Sequence, residues 1–371
     1  MLILDMMRLA IKFNRPLKAT INHQALISNL NYIKKIANKS KVMSVLKANA
    51  YGHDLLAVAK TLKMSDGFAV LSIDEAIQLR KNEFKQKVLL LEGFFDKSEV
   101  NIASELRIDV TIHNQRQIEL INQVKPIPPI NIHLKINTGM NRLGFMPDEV
   151  NYLLESLNSN PYIEDIILMT HFSTADEKEG IEKQLGIFNL IADNYNYPAS
   201  VANSAALIRY PESRLDWVRP GIMLYGLSPF EDKTAKDLKL IPAMSLTSEI
   251  IAVQDIKAGD LVGYGLASKA NQAMRIGVVA CGYADGYPRH ARNGTPVAID
   301  GHLSTLTGRV SMDMLYVDIT QIPNANIGSQ VELWGEHISA DAVAKFSGTV
   351  GYELICAVSA SQRVPLRSIN A

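Results

Sequence analysis

Four short strings in this chain set chemically capable side chains at the ends of apolar runs. The first is Val45-Leu46-Lys47-Ala48-Asn49-Ala50-Tyr51-Gly52-His53. A lysine amine forms an imine only after losing its proton, and an apolar strand end with a ring hydroxyl nearby favours that loss. By itself, a lysine after a strand is more simply a solvated cap with its stem along apolar surface. The second string, Lys135-Ile136-Asn137-Thr138-Gly139-Met140-Asn141-Arg142-Leu143-Gly144-Phe145, sets an amine ahead of a guanidinium. A guanidinium fork is preorganised for an anionic oxygen, although Arg142 alone reads as a surface ion-pair residue. The third, Thr170-His171-Phe172-Ser173-Thr174-Ala175-Asp176, carries an imidazole that on its own would be a satisfied structural histidine. The fourth is Val218-Arg219-Pro220-Gly221-Ile222, where Gly221 alone would be a turn glycine.

Each string closes a run that reads as a β-strand. Between about residues 41 and 222, short β-rich runs alternate with amphipathic segments, the pattern of parallel βα units. Candidate strands are Lys41–Leu46, Gly67–Leu71, Lys87–Leu91, Ile108–Ile112, Ile130–Ile136, Glu164–Thr170, Ala199–Ala202 and Leu215–Arg219. Eight such strands close a (β/α)8 barrel, whose active sites lie at the C-terminal strand ends, where all four strings fall. Asn203-Ser204 follows the seventh strand and Gly221-Ile222 the eighth, the place where barrels build a phosphate site from loop amides and hydroxyls. Ahead of the barrel, Leu26, Leu30, Ile33 and Ile36 recur at helical spacing behind Asn22, predicting a helix that packs beside it.

After Pro229 the texture changes to short runs such as Leu246–Val253, Arg275–Ala280, Thr295–Ile299, Leu315–Ile319 and Gln330–Leu333, separated by Gly, Asp and Pro. The expectation is an α/β chain: a (β/α)8 barrel over residues 1–230, then a C-terminal all-β domain over 231–371, with Glu231–Lys239 as linker. Two domains agree with 371 residues, since a single core stops growing at about 250–300 residues. The 38 basic and 38 acidic residues cancel, which argues against nucleic acid or an anionic membrane as partner. No apolar run reaches the roughly 18 residues of a membrane span. The N-terminus carries Asp5 and Arg8 in its apolar stretch and lacks a small-residue cleavage site, so the expected compartment is the cytoplasm. Cys281 and Cys356 have neither a disulfide framework nor metal-site spacing and read as small buried hydrophobes; no metal is expected.

Together these strings resemble the alanine racemase family, enzymes of pyridoxal 5'-phosphate (PLP) built on a barrel plus a β domain. The resemblance runs from about Arg15 to Arg367. It implies that Lys47 carries the cofactor, that Arg142 sits by the cofactor's phenolic oxygen and the substrate carboxylate, and that Lys135 is a candidate for carbamylation. It implies further that Arg219 donates to the pyridine nitrogen, leaving the ring a weak electron sink, and that His171 bonds Arg219. Tyr51 and Tyr352 join Asn203, Ser204, Gly221 and Ile222 as phosphate ligands. In the β domain, Gly263-Tyr264-Gly265, Gly282-Tyr283-Ala284-Asp285-Gly286 and Gly308-Arg309-Val310-Ser311-Met312-Asp313-Met314 match the family. The likeness gives Tyr264 of the partner subunit as the second base of a homodimer, puts Tyr283 and Met312 at the substrate entrance and carboxylate pocket, and carries Asp313 into the catalytic set. The sequence departs from the family's pattern at Asp54, at Cys281 and over Ser359–Arg363. A racemase of serine, lysine or a wider set would share Lys47, Arg219 and Tyr264. A non-catalytic PLP carrier would share the barrel but give the β domain no role.

Overall fold

The computed structural model describes residues 15–369; the apolar stretch around Asp5 and Arg8 lies outside them. A short strand β1 (Lys18–Asn22) precedes a helix over His23–Ala37 that begins where the sequence predicts. Eight parallel strands then close into a barrel: β2 (Lys41–Val45), β3 (Gly67–Val70), β4 (Lys87–Leu90), β5 (Asp109–Ile112), β6 (Ile130–Lys135), β7 (Ile163–Met169), β8 (Ala199–Ser200) and β9 (Trp217–Val218). The seam closes where Lys41 and Val42 of β2 register with Trp217 and Val218 of β9. Every strand starts within two residues of its expected position, because short β-branched runs bounded by turn residues leave the chain few alternatives.

Strand alternation sorts the walls of the barrel. On β6, Ile130, Ile132 and Leu134 are buried on one face, while Asn131, His133 and Lys135 share the other, which ends at the mouth. The outer helices start at polar caps. Ser72 caps Ile73–Lys81 in a reciprocal capping box with Glu75, Asp96 caps Lys97–Glu105, Asn114 caps Gln115–Val124 and Asn203 caps Ser204–Arg209. Each cap fixes where the loop leaving a strand end becomes helix, so the mouth of the barrel is set residue by residue. The helix over His23–Ala37 buries Leu26, Leu30 and Ile33. Its Asn29 amide donates to Leu224 O (3.0 Å) and Ile241 O (2.8 Å), and its carbonyl accepts from Ile241 N (2.9 Å).

The rest of the chain is β-rich: β10 (Met244–Ile256), β11 (Leu261–Val262), β12 (Ser268–Lys269), β13 (Met274–Val279), β14 (Pro296–Ile299), β15 (His302–Thr305), β16 (Leu315–Asp318), β17 (Gln330–Trp334) and β18 (Leu366–Ile369). The sheet runs β15-β14-β17-β10-β1-β18, with β13 joining β10 to β16. Two features differ from the sequence reading. First, β1 pairs antiparallel with β10 and parallel with β18, so this first strand belongs to the β-rich unit. One compact unit spans Ala25–Ile241 and the other joins the preceding described residues to Pro242 onward, whereas the sequence divides the chain at 230/231. The reason is long-range pairing, which no local pattern of Lys18–Asn22 discloses. Second, helices over Ala340–Ser347 and Gly351–Ala360 sit within the stretch read as all-β. They are short, and their buried positions, such as Leu354, Ile355 and Val358, are too few to declare a helical period.

Because Asn29 is buried and satisfies three backbone groups far away in sequence, Asn29→Ala should destabilise the fold by about 2–3 kcal/mol, read from urea unfolding. A loss below about 0.5 kcal/mol would mean these contacts carry no net weight.

Candidate active site

Lys47 lies two residues beyond β2, at the mouth of the barrel, and the chain after it does something unusual. Ala48, Asn49, Ala50 and Tyr51 all have φ between 51° and 55°, a turn of left-handed helix built without glycine. Such residues cost about 1–2 kcal/mol each, so the surroundings must over-determine the turn. Several contacts do so. Asn49 N donates to Glu75 Oε1 (3.0 Å), Asn49 Oδ1 accepts from Leu55 N (2.8 Å), and His53 Nδ1 donates to Tyr51 O (2.9 Å). The Tyr51 ring stacks on Tyr225 at 4.7 Å, and Tyr225 Oη donates to Val45 O (2.9 Å). Asp54, the departure noted in the first motif, takes φ 74° and caps the next helix by accepting from Ala57 N. It does glycine's conformational work and adds a cap.

The turn delivers the Tyr51 hydroxyl to the end of β9. A Cβ at Gly221 would lie 2.6 Å from Tyr51 Oη, so only glycine permits this approach. Gly221 N donates to Ser204 Oγ (3.0 Å), and Asn203 Oδ1 accepts from Ala206 N (2.9 Å). Tyr51, Ser204 and Gly221 therefore converge, with Asn203 and the buried Ile222 adjacent in the chain.

Arg219 is buried, and its guanidinium is held by Ser200 and Thr170. Nη1 donates to Ser200 O (2.7 Å) and Oγ (2.6 Å), and Nη2 donates to Thr170 O (2.6 Å). Burial lowers its pKa to about 10, which leaves it cationic at neutral pH. Arg219 Nη2 donates to the carbonyl of Thr170, the residue before His171, and His171 feels the guanidinium through its charge. Thr170 also shares a hydrogen bond with Thr138 (2.8 Å) and donates to Ile136 O (2.9 Å), tying the ends of β6 and β7.

The loop after β6 folds back on itself, with Phe145 N donating to Lys135 O (2.9 Å) and Asn137 N donating to Phe145 O (2.9 Å). It holds Arg142 exposed over a small cleft lined by Lys135, Asn137, Thr138, Thr170 and His171. Burial, then the charges of Arg219, Arg142 and Lys47, lower the Lys135 pKa to about 7. Burial, then Arg219, Lys135, Arg142 and Lys47, push His171 well below the ordinary histidine value, so its ring is neutral. All the charges acting on these two groups are cations. The cleft is thus built to receive negative charge.

The β-rich unit presents the other candidates. Tyr264 is 71% exposed, on the loop between β11 and β12. Tyr283 N donates to Ser311 O (3.0 Å) and Ala284 N to Met312 O (3.0 Å), which sets Tyr283 beside Met312. Gly282 permits this, since a Cβ there would collide with Met312 O. Asp313 Oδ1 accepts from Arg363 Nη2 (2.6 Å), and its carbonyl accepts from Arg15. The buried Asp285 gathers Arg15 Nη1 (2.6 Å), Arg363 Nε (3.3 Å) and Gly282 N (2.9 Å). Asp313 thus braces the Met312 loop, and the atypical Ser359–Arg363 run supplies the brace's arginine. Tyr352 lies on the helix over Gly351–Ala360, and Cys281 is buried. The sequence reading did not single out Glu75, Tyr225, Thr170 or Ser200 as site groups. Only Glu75 had a local signal, the Ser72-x-x-Glu75 spacing of a capping box.

Residues 21–229 match the pattern described as "Alanine racemase, N-terminal domain" and residues 243–367 that of "Alanine racemase, C-terminal domain". The chain belongs to the alanine racemase family. It is 48% identical to "Alanine racemase" of Nitrosospira multiformis, over 93% of this chain and 98% of that one. A member from Klebsiella aerogenes called "Alanine racemase, catabolic" is 46% identical over 95% and 99% of the two chains. Among solved structures, the biosynthetic alanine racemase of Pseudomonas aeruginosa superposes with a TM-score of 0.93 at 43% identity, over 96% of this chain and all of that one. Among the described residues no helix is long and apolar enough to cross a membrane.

A lysine whose pKa is about 7 is half neutral at that pH, so in carbon-dioxide-free buffer Lys135 should acylate with a midpoint near pH 7. Arg142→Gln removes a repelling cation and should move the midpoint upward. Peptide-resolved labelling with acetic anhydride reads both; a midpoint near 10 in the parent protein would contradict the site's electrostatics.

Proposed function

We propose that this chain interconverts L-alanine and D-alanine with PLP at the mouth of its barrel. The observation that carries this reading is the convergence of Lys47, the Tyr51–Ser204–Gly221 cradle and the buried Arg219 on one set of strand ends. These groups fit the cofactor. An amine stands where a covalent anchor is needed, a phosphate-sized ligand would find amide and hydroxyl donors where a Cβ is excluded, and the surrounding charge is positive. Tyr51, Asn203, Ser204, Gly221, Ile222 and Tyr352 would hold the phosphate. The Nη atoms of Arg219 are committed to Ser200 and Thr170, and the arginine would donate from its remaining N–H to the ring nitrogen.

When bound, PLP supplies an electron sink that acidifies the α-carbon of an amino acid. The rest of the chemistry belongs to this chain. Arg142 is assigned to the substrate carboxylate, Tyr283 and Met312 by family likeness to the substrate entrance and carboxylate pocket, and Asp313 holds the Met312 loop through Arg363. Lys47 Nζ takes or returns the α-proton on one face. Inversion needs a base on the other face, and Tyr264 of the partner subunit is our assignment, which makes a homodimer the active unit. Lys135 acts as a carbamate that holds Arg142, an assignment supported by its lowered pKa, since only a neutral amine captures carbon dioxide. Both a catabolic and a biosynthetic relative share this scaffold, so the physiological direction is set outside it.

The protein should be yellow, and borohydride should fix a pyridoxyl group to Lys47; a pyridoxyl group mapped to another lysine would remove the central assignment. A chirally resolved panel should then show alanine turned over well ahead of serine and lysine, and equal turnover would make this a broad racemase instead. Each of Lys47→Ala and Tyr264→Ala should cost at least about a hundredfold in rate. Mixing the two inactive chains should restore activity, because one site per mixed dimer pairs an intact lysine with an intact tyrosine. No recovery in proven mixed dimers would place both bases on one chain.

A further inference from the structure

We propose that Glu75 is a positioning residue for Lys47, holding wound the left-handed turn that aims the lysine. The proposal rests on the reading that Lys47 anchors the cofactor. Glu75 belongs to the helix after β3, yet its carboxylate serves two loops at once. Oε1 accepts from Asn49 N (3.0 Å) within the left-handed turn, while Oε2 accepts from Leu71 N (2.9 Å) and Ser72 N (3.5 Å) beyond β3. Three amides converge on one side chain. Only an ionised carboxylate has acceptor capacity on both oxygens for this; a glutamine in its place would turn one oxygen into a donor group facing an N–H. The backbone around Asn49 is strained, since Ala48, Ala50 and Tyr51 share its positive φ, and none of these residues favours that region as glycine does. Relaxation of the turn would swing the chain immediately after Lys47. The same motion would withdraw the Tyr51 hydroxyl from Gly221, so anchor and cradle would loosen together.

A purely structural role for Glu75, as half of the capping box on its own helix, gives a different signature. Ser72→Ala removes the cap, because Ser72 Oγ accepts from Glu75 N (3.2 Å), but leaves the Asn49 contact in place. The test uses holoenzyme and two readouts besides turnover: hydrogen exchange at the Asn49 amide, and the rate at which PLP is lost to a trapping agent. Glu75→Ala should accelerate both by about tenfold or more, the loss of a charge-assisted hydrogen bond, and Glu75→Gln should fall between it and the parent. Ser72→Ala should leave both within about twofold while lowering thermal stability. Equal behaviour of Glu75→Ala and Ser72→Ala would overturn the proposal. Should Glu75→Ala not fold, unchanged Asn49 exchange in Glu75→Gln would overturn it as well. If reduction of the parent protein fixes no pyridoxyl group to Lys47, the cofactor reading fails on its own, whatever Asn49 exchange shows, and the role toward Lys47 falls with it.

Discussion

The site depends on crowding several basic groups together, with Lys135, His171 and Arg219 largely out of reach of water. Lys47, Lys135, Arg142 and Arg219 each bear on the titration of His171, and three of them bear on Lys135. Like charges in low dielectric repel strongly, so the arrangement depends on rigid supports around it. Arg219 is clamped by carbonyls and a hydroxyl at the ends of β7 and β8, and Thr170 passes that clamp to the loop bearing Arg142. Closed-barrel geometry is what brings those strand ends together, and neither a helix bundle nor an open sheet would put five such groups around one mouth.

Strain enters beside this crowding. The four left-handed residues after Lys47 hold an unfavourable backbone, and the structure offsets it with Glu75, the Tyr51–Tyr225 stack and the Tyr225–Val45 hydrogen bond. Strain at a site is maintained only when neighbours over-determine it. Here they come from the loops after β2, β3 and β9, so the lysine is set by the barrel as a whole. An extended exit from β2 would carry Tyr51 away from Gly221.

Much of this was legible in the sequence, for physical reasons that differ by residue. The barrel strands were readable because runs such as Val88-Leu89-Leu90 and Ile130-Asn131-Ile132 are bounded by turn residues and alternate with helical spacing. Lys47, Lys135, His171 and Arg219 stand at the ends of such runs, where barrel chemistry lies, but position alone left each with an ordinary structural reading, and their roles came from the likeness of whole strings to the family. What the sequence withheld was non-local or conformational. Lys18–Asn22 looks like any short strand, and only pairing with Met244–Thr247 assigns it to the β-rich unit. Nothing in Ala48-Asn49-Ala50-Tyr51 announces positive φ, since none is glycine. The clamp on Arg219 by Ser200 and the carbonyl of Thr170 was not foreseen, because it joins strand ends far apart in sequence. The helix over Gly351–Ala360 was lost in a β-like texture.

Lys135 shows how these constraints meet. An anionic ligand lowers the repulsion in the cleft, yet with Lys135 protonated the exposed Arg142 would still sit beside a like charge. Its pKa of about 7 lets Lys135 relieve that crowding by giving up its proton. On the proposed reading, the neutral amine would attack carbon dioxide: the new N–C bond and loss of a second proton would make a carbamate, so the site that held the lysine's cation would hold an anion. Arg142 would then have a fixed negative partner in place of a repelling neighbour, and its fork would be held toward a carboxylate. The depressed pKa is both the consequence of the crowded cations and the condition for relieving them, so carbamylation should follow from the electrostatics of the mouth, without any further group dedicated to it.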